Sequence, residues 1–152
     1  MPAIVIATDG SEAAESAART GFELARLTGD EVILVSVWEL LTGSFGSAVP
    51  YMDERSLEAD KVRAQAVLDA AVKAAGEAGV KAEAQLVQGQ PAEEICRIAK
   101  ERDARMIVVG THGWGPIRSF LSGSVLAGVL HDAPCPVLAG PRGSREPSDA
   151  ED

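Results

Sequence analysis

The stretch that decides the fold runs from Met106 to His131 and reads MIVVGTHGWGPIRSFLSGSVLAGVLH. Its first four residues, Met106 to Val109, form a short apolar run of the kind that makes a buried strand. Gly110, Gly113 and Gly123 follow within one polar loop, Ser124 stands directly after the last glycine, and Val125 to His131 is helix-like. Glycines permit tight backbone and a close approach of ligand to main chain. A helix that opens at Gly-Ser directs unpaired N–H groups and a positive dipole end outward. Strand, glycine loop and helix start together predict a phosphate cradle.

Outward from this stretch, strands and helices alternate. Ala3 to Thr8, Val32 to Trp38, Lys81 to Val87, Arg105 to Val109 and Pro136 to Ala139 read as strands. Between them, Ser11 to Leu27 and about Arg55 to Ala78 show helical stripes. The first stripe is Ala14, Ala17, Ala18, Gly21, Leu24 and Ala25; the second is Leu57, Ala64, Leu68, Ala71, Val72 and Ala75. Pro91 opens a third helix at its first position. Residues 42–53 read as a Gly/Ser/Pro loop. Such alternation predicts an α/β fold with a parallel sheet and right-handed crossovers, covered on both faces.

The glycine spacing is Gly, two residues, Gly, nine residues, Gly-Ser. No Lys-Ser or Lys-Thr follows, so it is not a Walker A loop, and the gaps do not fit the dinucleotide fingerprint. The pattern resembles, position for position, the nucleotide-binding motif of the universal stress protein family in its ATP-binding branch. IVIATDGS (Ile4 to Ser11) and HDAPCPVL (His131 to Leu138) resemble two further segments of that family. The resemblance spans roughly Ile4 to Pro141 and implies a doubly wound, five-stranded parallel sheet in the order 3-2-1-4-5. It implies one domain over 1–141; residues 142–152 read as an acidic disordered tail. In that strand order the topological switch lies between strands 1 and 4, where such sheets bind ligands. The segments there are Asp9-Gly10-Ser11 and Gly110 to Ser124.

The formal net charge of -9 argues against nucleic acid as a partner, because phosphate backbones need a basic face. It also requires that a bound phosphate be held by backbone dipoles, hydroxyls or a divalent metal. No apolar stretch approaches the ~20 residues that span a bilayer, and the N-terminus lacks the pattern of a secretory signal. A cytoplasmic location with no membrane partner is expected. Cys96 and Cys135 have neither metal spacing nor a disulfide framework, and are expected to be reduced and at least partly buried.

Asp9 admits two roles. With Glu12 three residues on, it fits a capping box; as a binding group it would accept from ribose hydroxyls or contact the base. Ser124 is either an N-cap or, with the N–H of Val125, a phosphate ligand. His112 is either a solvent-facing loop residue or a donor to phosphate. Thr111, Arg118, Ser119 and Ser122 belong to the same loop, and Trp38 and Trp114 flank its rim. The resemblance adds Val37, whose backbone would meet adenine, Ala7 and Thr8 as the opposite wall, and Val109 with Gly110 and Gly113 beneath the phosphates. Leu126, Ala127 and Gly128 depart from the family, many of whose members carry charged residues there.

No nucleophile elbow, metal-ligating His cluster or phosphate-directed lysine is present. The resemblance therefore implies a nucleotide-dependent regulatory protein of the stress response. It would bind ATP with Mg²⁺ and act as a homodimer paired through strand 5. The alternatives are a slow ATPase in the same pocket, and a protein-interaction module that binds AMP, cyclic AMP or no nucleotide. A flavodoxin-like carrier shares the fold class, but Asp9-Gly10-Ser11-Glu12 is not its Ser/Thr-rich phosphate turn.

Overall fold

Residues 3–7 and 32–37 are buried almost without interruption, which is possible only for strands covered on both faces. The computed structural model describes residues 2–38, 54–111 and 123–140. In chain order the elements are β1 (Ala3–Ala7), α1 (Glu12–Thr28), β2 (Glu31–Trp38), α2 (Glu54–Glu77) and β3 (Ala82–Gln88). They continue with α3 (Pro91–Glu101), β4 (Met106–Val109), α4 (Gly123–Asp132) and β5 (Val137–Ala139). All four strand pairings are parallel and the sheet order is β3-β2-β1-β4-β5, as the family resemblance implies.

Strand periodicity divides the core in two. Ala3, Val5 and Ala7 of β1, Ile33, Val35 and Val37 of β2, and Ile107 and Val109 of β4 face α3 and α4, where Ile95, Ile98, Ala99 and Val129 meet them. Ile4, Ile6, Val32, Leu34 and Val108 face α1 and α2, against Ala17, Ala18, Phe22, Ala25, Leu68 and Ala75. Of the predicted inner stripe of α2, Ala64, Leu68 and Ala75 are buried, with Ala71 and Val72 packed beside them; the side chain of Leu57 lies outside those described. Each fully buried Ile or Leu contributes roughly 1.5–3 kcal/mol, so these two layers fix the sheet rigidly beneath its loops.

Small side chains let α1 lie unusually close to the sheet. Its buried face consists of Ala13, Ala14, Ala17, Ala18, Gly21 and Ala25, with Phe22 as its one large member. Close packing of this kind leaves no room for growth. At the other end of α1, Gly29 closes the helix by donating its N–H to Ala25 O at 2.8 Å. Next to it the buried Asp30 carboxylate receives a two-pronged bond from Arg105, at 2.5 and 3.2 Å, joining the start of β2 to the start of β4.

Cys96 is buried and Cys135 partly so, and both are free thiols, as expected. Burial pushes both thiols up, and Asp132 adds to the effect at Cys96. Among the described residues no helix is long and apolar enough to cross a membrane. The expected loop 42–53 and acidic tail 142–152 lie outside the described residues.

Candidate functional site

At the carboxyl end of β1 the chain turns sharply into α1. Thr8 still donates its N–H to Val35 O at 2.9 Å, so pairing with β2 continues one bond past the strand. Thr8 Oγ1 then accepts from Gly10 N at 3.3 Å, and Asp9 Oδ1 accepts from Ser11 N at 2.9 Å. The latter is an Asx turn, in which a short carboxylate side chain imitates a backbone turn. Gly10 sits at φ +81°, the left-handed region, and its Cα lies so close to Val67 of α2 that a Cβ would meet Val67 Cγ2 at 2.9 Å.

These contacts correct the capping-box expectation. Ser11, not Asp9, caps α1: its Oγ accepts from Ala14 N at 3.2 Å and its backbone is extended. Left-handed Gly10 separates Asp9 from the helix, so Asp9 lies too far back to reach the first-turn amides. Of the two roles open to Asp9, the cap is excluded, and its side chain shapes the loop in front of the helix.

Beyond the switch point, β4 ends at Val109 and Gly110. Val109 O accepts from Gly140 N at 2.7 Å, which carries the ladder past β5. Gly110 presses on α1 itself: a Cβ there would lie 2.9 Å from Ala13 C and Ala14 N. Its requirement for glycine is therefore met by the first turn of α1, independently of any ligand. Thr111 follows, and its Oγ1 is buried with no hydrogen-bond partner among the described residues.

The helix α4 begins at Gly123, so Gly123, Ser124 and Val125 supply first-turn amides; the sequence reading began it two residues later. The Val125 side chain is buried in the layer beneath α3 and α4. Because α4 connects two parallel strands, its N-terminus lies at their carboxyl ends, alongside Asp9 and Gly110. The first turn of α4 holds no acidic residue, whereas that of α1 holds Glu12 and Glu15. Of the two helix starts here, that of α4 therefore favours an anion by its dipole without opposing charge.

On the far side, Ala7 is level with Val35, so Val37 and Trp38 of β2 project past the end of β1. Val37 is 2% exposed and packs its side chain in the core, which leaves only its main chain to face a ligand. Ala7, Thr8, Asp9, Val37, Val109, Gly110, Gly123, Ser124 and Val125 are thus all gathered at one end of the sheet. His112 and Gly113, with Trp114, Arg118, Ser119 and Ser122, lie outside the described residues.

Two features escaped sequence reasoning. The burial of Thr111 Oγ1 has no sequence signal, because a Thr after a glycine is common in loops. The contact of Gly110 with α1 had one in the small residues of α1, which announce a close neighbour without naming it. Among the described residues no group of three or more His, Cys, Asp or Glu could hold a metal. A cavity of about 360 Å³ lined by Arg26, Gly29, Asp30, Gly79 and Lys81, among others, lies at the opposite end of the strands, away from every motif residue.

The model of the Universal stress protein family matches residues 1–140. A universal stress protein of Thermus aquaticus is 37% identical over 139 residues, which cover 89% of this chain and 95% of that protein. The crystal structure of a family member from Burkholderia pseudomallei superposes with a TM-score of 0.73 at 30% identity, covering 92% of this chain and 96% of that one. Solved structures with bound nucleotide are among those similar to this chain. One is a universal stress protein in complex with cAMP, with a TM-score of 0.69, 26% identity and coverage of 94% and 98%. Another is the Archaeoglobus fulgidus protein in complex with dAMP, with a TM-score of 0.66, 27% identity and coverage of 93% and 98%.

Proposed function

The chain belongs to the universal stress protein family, and from that premise we propose that it is a nucleotide-dependent regulatory protein. Its ligand is ATP carried with Mg²⁺, bound where β1 and β4 diverge, and it works in the cytoplasm as a homodimer. The observation that carries this reading is the meeting, at the switch point, of the Asp9 turn with the acid-free N-terminus of α4. One side offers a carboxylate to ribose hydroxyls; the other offers amides and a positive dipole to phosphate. Adenine nucleotides in two family structures give the ligand class.

The charge balance favours a triphosphate with its metal over a bare one. Asp9, Glu12 and Glu15 crowd the same end of a chain of net charge -9. A divalent cation on the phosphates offsets that repulsion. Mg²⁺ characteristically uses one or two carboxylates, phosphate oxygens and water, which suits a site without a dedicated cage. Asp9 is the carboxylate on hand.

Regulation is preferred to turnover on the groups that the described residues bring to the site. Phosphoryl transfer needs charge neutralisation and an oriented nucleophile, and Asp9 is the sole acidic group set in the β1 turn. A slow ATPase in the same pocket is the second reading, with Asp9 orienting water.

Mass analysis of nucleotide released by denaturing the purified protein tests the ligand, and calorimetry with ATP, AMP and cAMP ranks the alternatives. Recovery of ATP, or a preference for it with Mg²⁺, supports the proposal. No adenine nucleotide in either experiment overturns it. A time course of ADP release separates the readings: multiple turnovers that vanish in Asp9→Ala favour the enzyme.

A further inference from the structure

Val67 of α2 is packed for a reason that the core does not supply. It lies one residue before Leu68 and three after Ala64, both buried, and so stands on the flank of the inner stripe of α2. It is half-buried, yet among the described residues it packs against neither core layer. What it meets is the turn after β1: a Cβ on Gly10 would lie 2.9 Å from Val67 Cγ2 and 3.5 Å from Cγ1. Both γ carbons therefore bear on the one residue that separates Asp9 from Ser11. A helical valine has essentially one side-chain rotamer, and its neighbour Leu68 anchors α2 in the core. The two methyls form a fixed stop.

That stop falls where the turn is most pliable. Gly10 is the most conformationally free residue type, and here it holds φ +81°. Its N–H donates to Thr8 Oγ1 at 3.3 Å, while Asp9 Oδ1 accepts from Ser11 N across it at 2.9 Å. The direction of the Asp9 carboxylate thus depends on where Gly10 sits.

We propose that Val67 is a positioning residue for the nucleotide: it pins Gly10 and so pre-sets the Asp9 carboxylate towards the ligand. The assignment rests on the adenine-nucleotide reading above and deepens it, by adding α2 to the elements that set affinity. A turn ordered in advance raises affinity, because binding no longer bears the cost of ordering it. The tie is reciprocal, since a nucleotide that needs the turn in place also favours the seated α2.

Val67→Ala removes both γ carbons and suits a helix. Affinity for ATP with Mg²⁺, by isothermal titration calorimetry, is expected to fall roughly 3- to 30-fold, the range of coupling carried by packed side chains. Val67→Ile, which keeps both γ carbons, is expected to restore it. In an Asp9→Ala background no carboxylate is left to aim, and there Val67→Ala is expected to change affinity by less than about twofold. Val67→Leu, which moves the branch one carbon outward, is read the same way if the alanine variant does not fold.

Unchanged ATP affinity in folded Val67→Ala, whatever its melting temperature, makes Val67 a packing residue and overturns the assignment. A loss of the same size in the Asp9→Ala background overturns it too, because the effect then bypasses Asp9, and so does an isoleucine variant as weak as the alanine one. Each of these outcomes leaves the nucleotide site intact. Wild-type protein that binds no adenine nucleotide overturns the wider reading, and this assignment with it.

Discussion

A Cβ added to Gly110 would stand 2.9 Å from the carbonyl carbon of Ala13, inside the backbone of the first turn of α1. A flexible side-chain tip could swing away from such a contact, but a helix backbone cannot. Gly110→Ala must therefore push β4 and α1 apart, and overpacking of this sort costs about 1–3 kcal/mol. Thermal melts of the ligand-free protein should drop by about 3–10 °C for a chain of this size. An alanine variant that melts with the wild type would show that the approach is looser than the geometry states. Substitutions at Gly110 consequently confound binding with folding.

Asp9 permits a cleaner separation. Asn retains an Oδ1 that can accept from Ser11 N, so Asp9→Asn keeps the 2.9 Å turn while removing the charge. Asp9→Ala removes both. The alanine variant is expected to lose about 1 kcal/mol of stability, the worth of one hydrogen bond, whereas the asparagine variant melts near the wild type. Both should bind ATP with Mg²⁺ at least tenfold more weakly, because charge-assisted bonds are the strong ones. Full affinity in Asp9→Asn would mean that the carboxylate serves the turn alone.

The contrast between these residues marks what sequence could reveal. Buried strands were legible because Ile4 to Ala7 and Val32 to Val35 leave no polar position on either face. Strand order was not legible from periodicity; it came from the resemblance, since sequence pattern does not say which strands adjoin. Asp9 and Ser11 are both good caps, and only left-handed Gly10 decides between them. Ala13, Ala17 and Gly21 announced a small helix face. That this face receives Gly110 on one side and Ile6 on the other depends on the third dimension. The burial of the Thr111 hydroxyl, without a partner among the described residues, is likewise an atomic fact with no trace in residue type.

At the opposite end of the strands, stability should depend on pH through Asp30. Burial alone would push its carboxyl up, but hydrogen bonds from Arg105 and Thr28 outweigh that and hold it below the usual carboxylate range. A carboxyl depressed in the folded state contributes stability that is complete above about pH 5 and is lost as acid protonates it below about pH 4. Asp30→Asn should therefore destabilise by about 1–2 kcal/mol at pH 7, a figure kept low because Arg105 is half-exposed and screened. The deficit should shrink towards pH 3. Urea denaturation at both pH values measures it; a deficit that is the same at each would remove the ion pair from the account.

The two edges of the sheet differ in a way that bears on assembly. Beside β3 stand Lys81, Glu83, paired with Arg102 at 2.7 Å, and exposed Gln88; charges of this kind keep an edge from pairing. No charge falls on β5: Val137 and Leu138 are half-buried, Ala139 is exposed, and Leu130 of α4 is exposed nearby in the chain. Pairing through β5 would satisfy that edge. Light scattering at tens of micromolar should then report twice the chain mass. Ala139→Glu should yield a folded monomer, since the substituted side chain is already exposed while its charge would face a like charge across the two-fold. A monomeric wild type, or a dimer that ignores the glutamate, would move the interface away from β5.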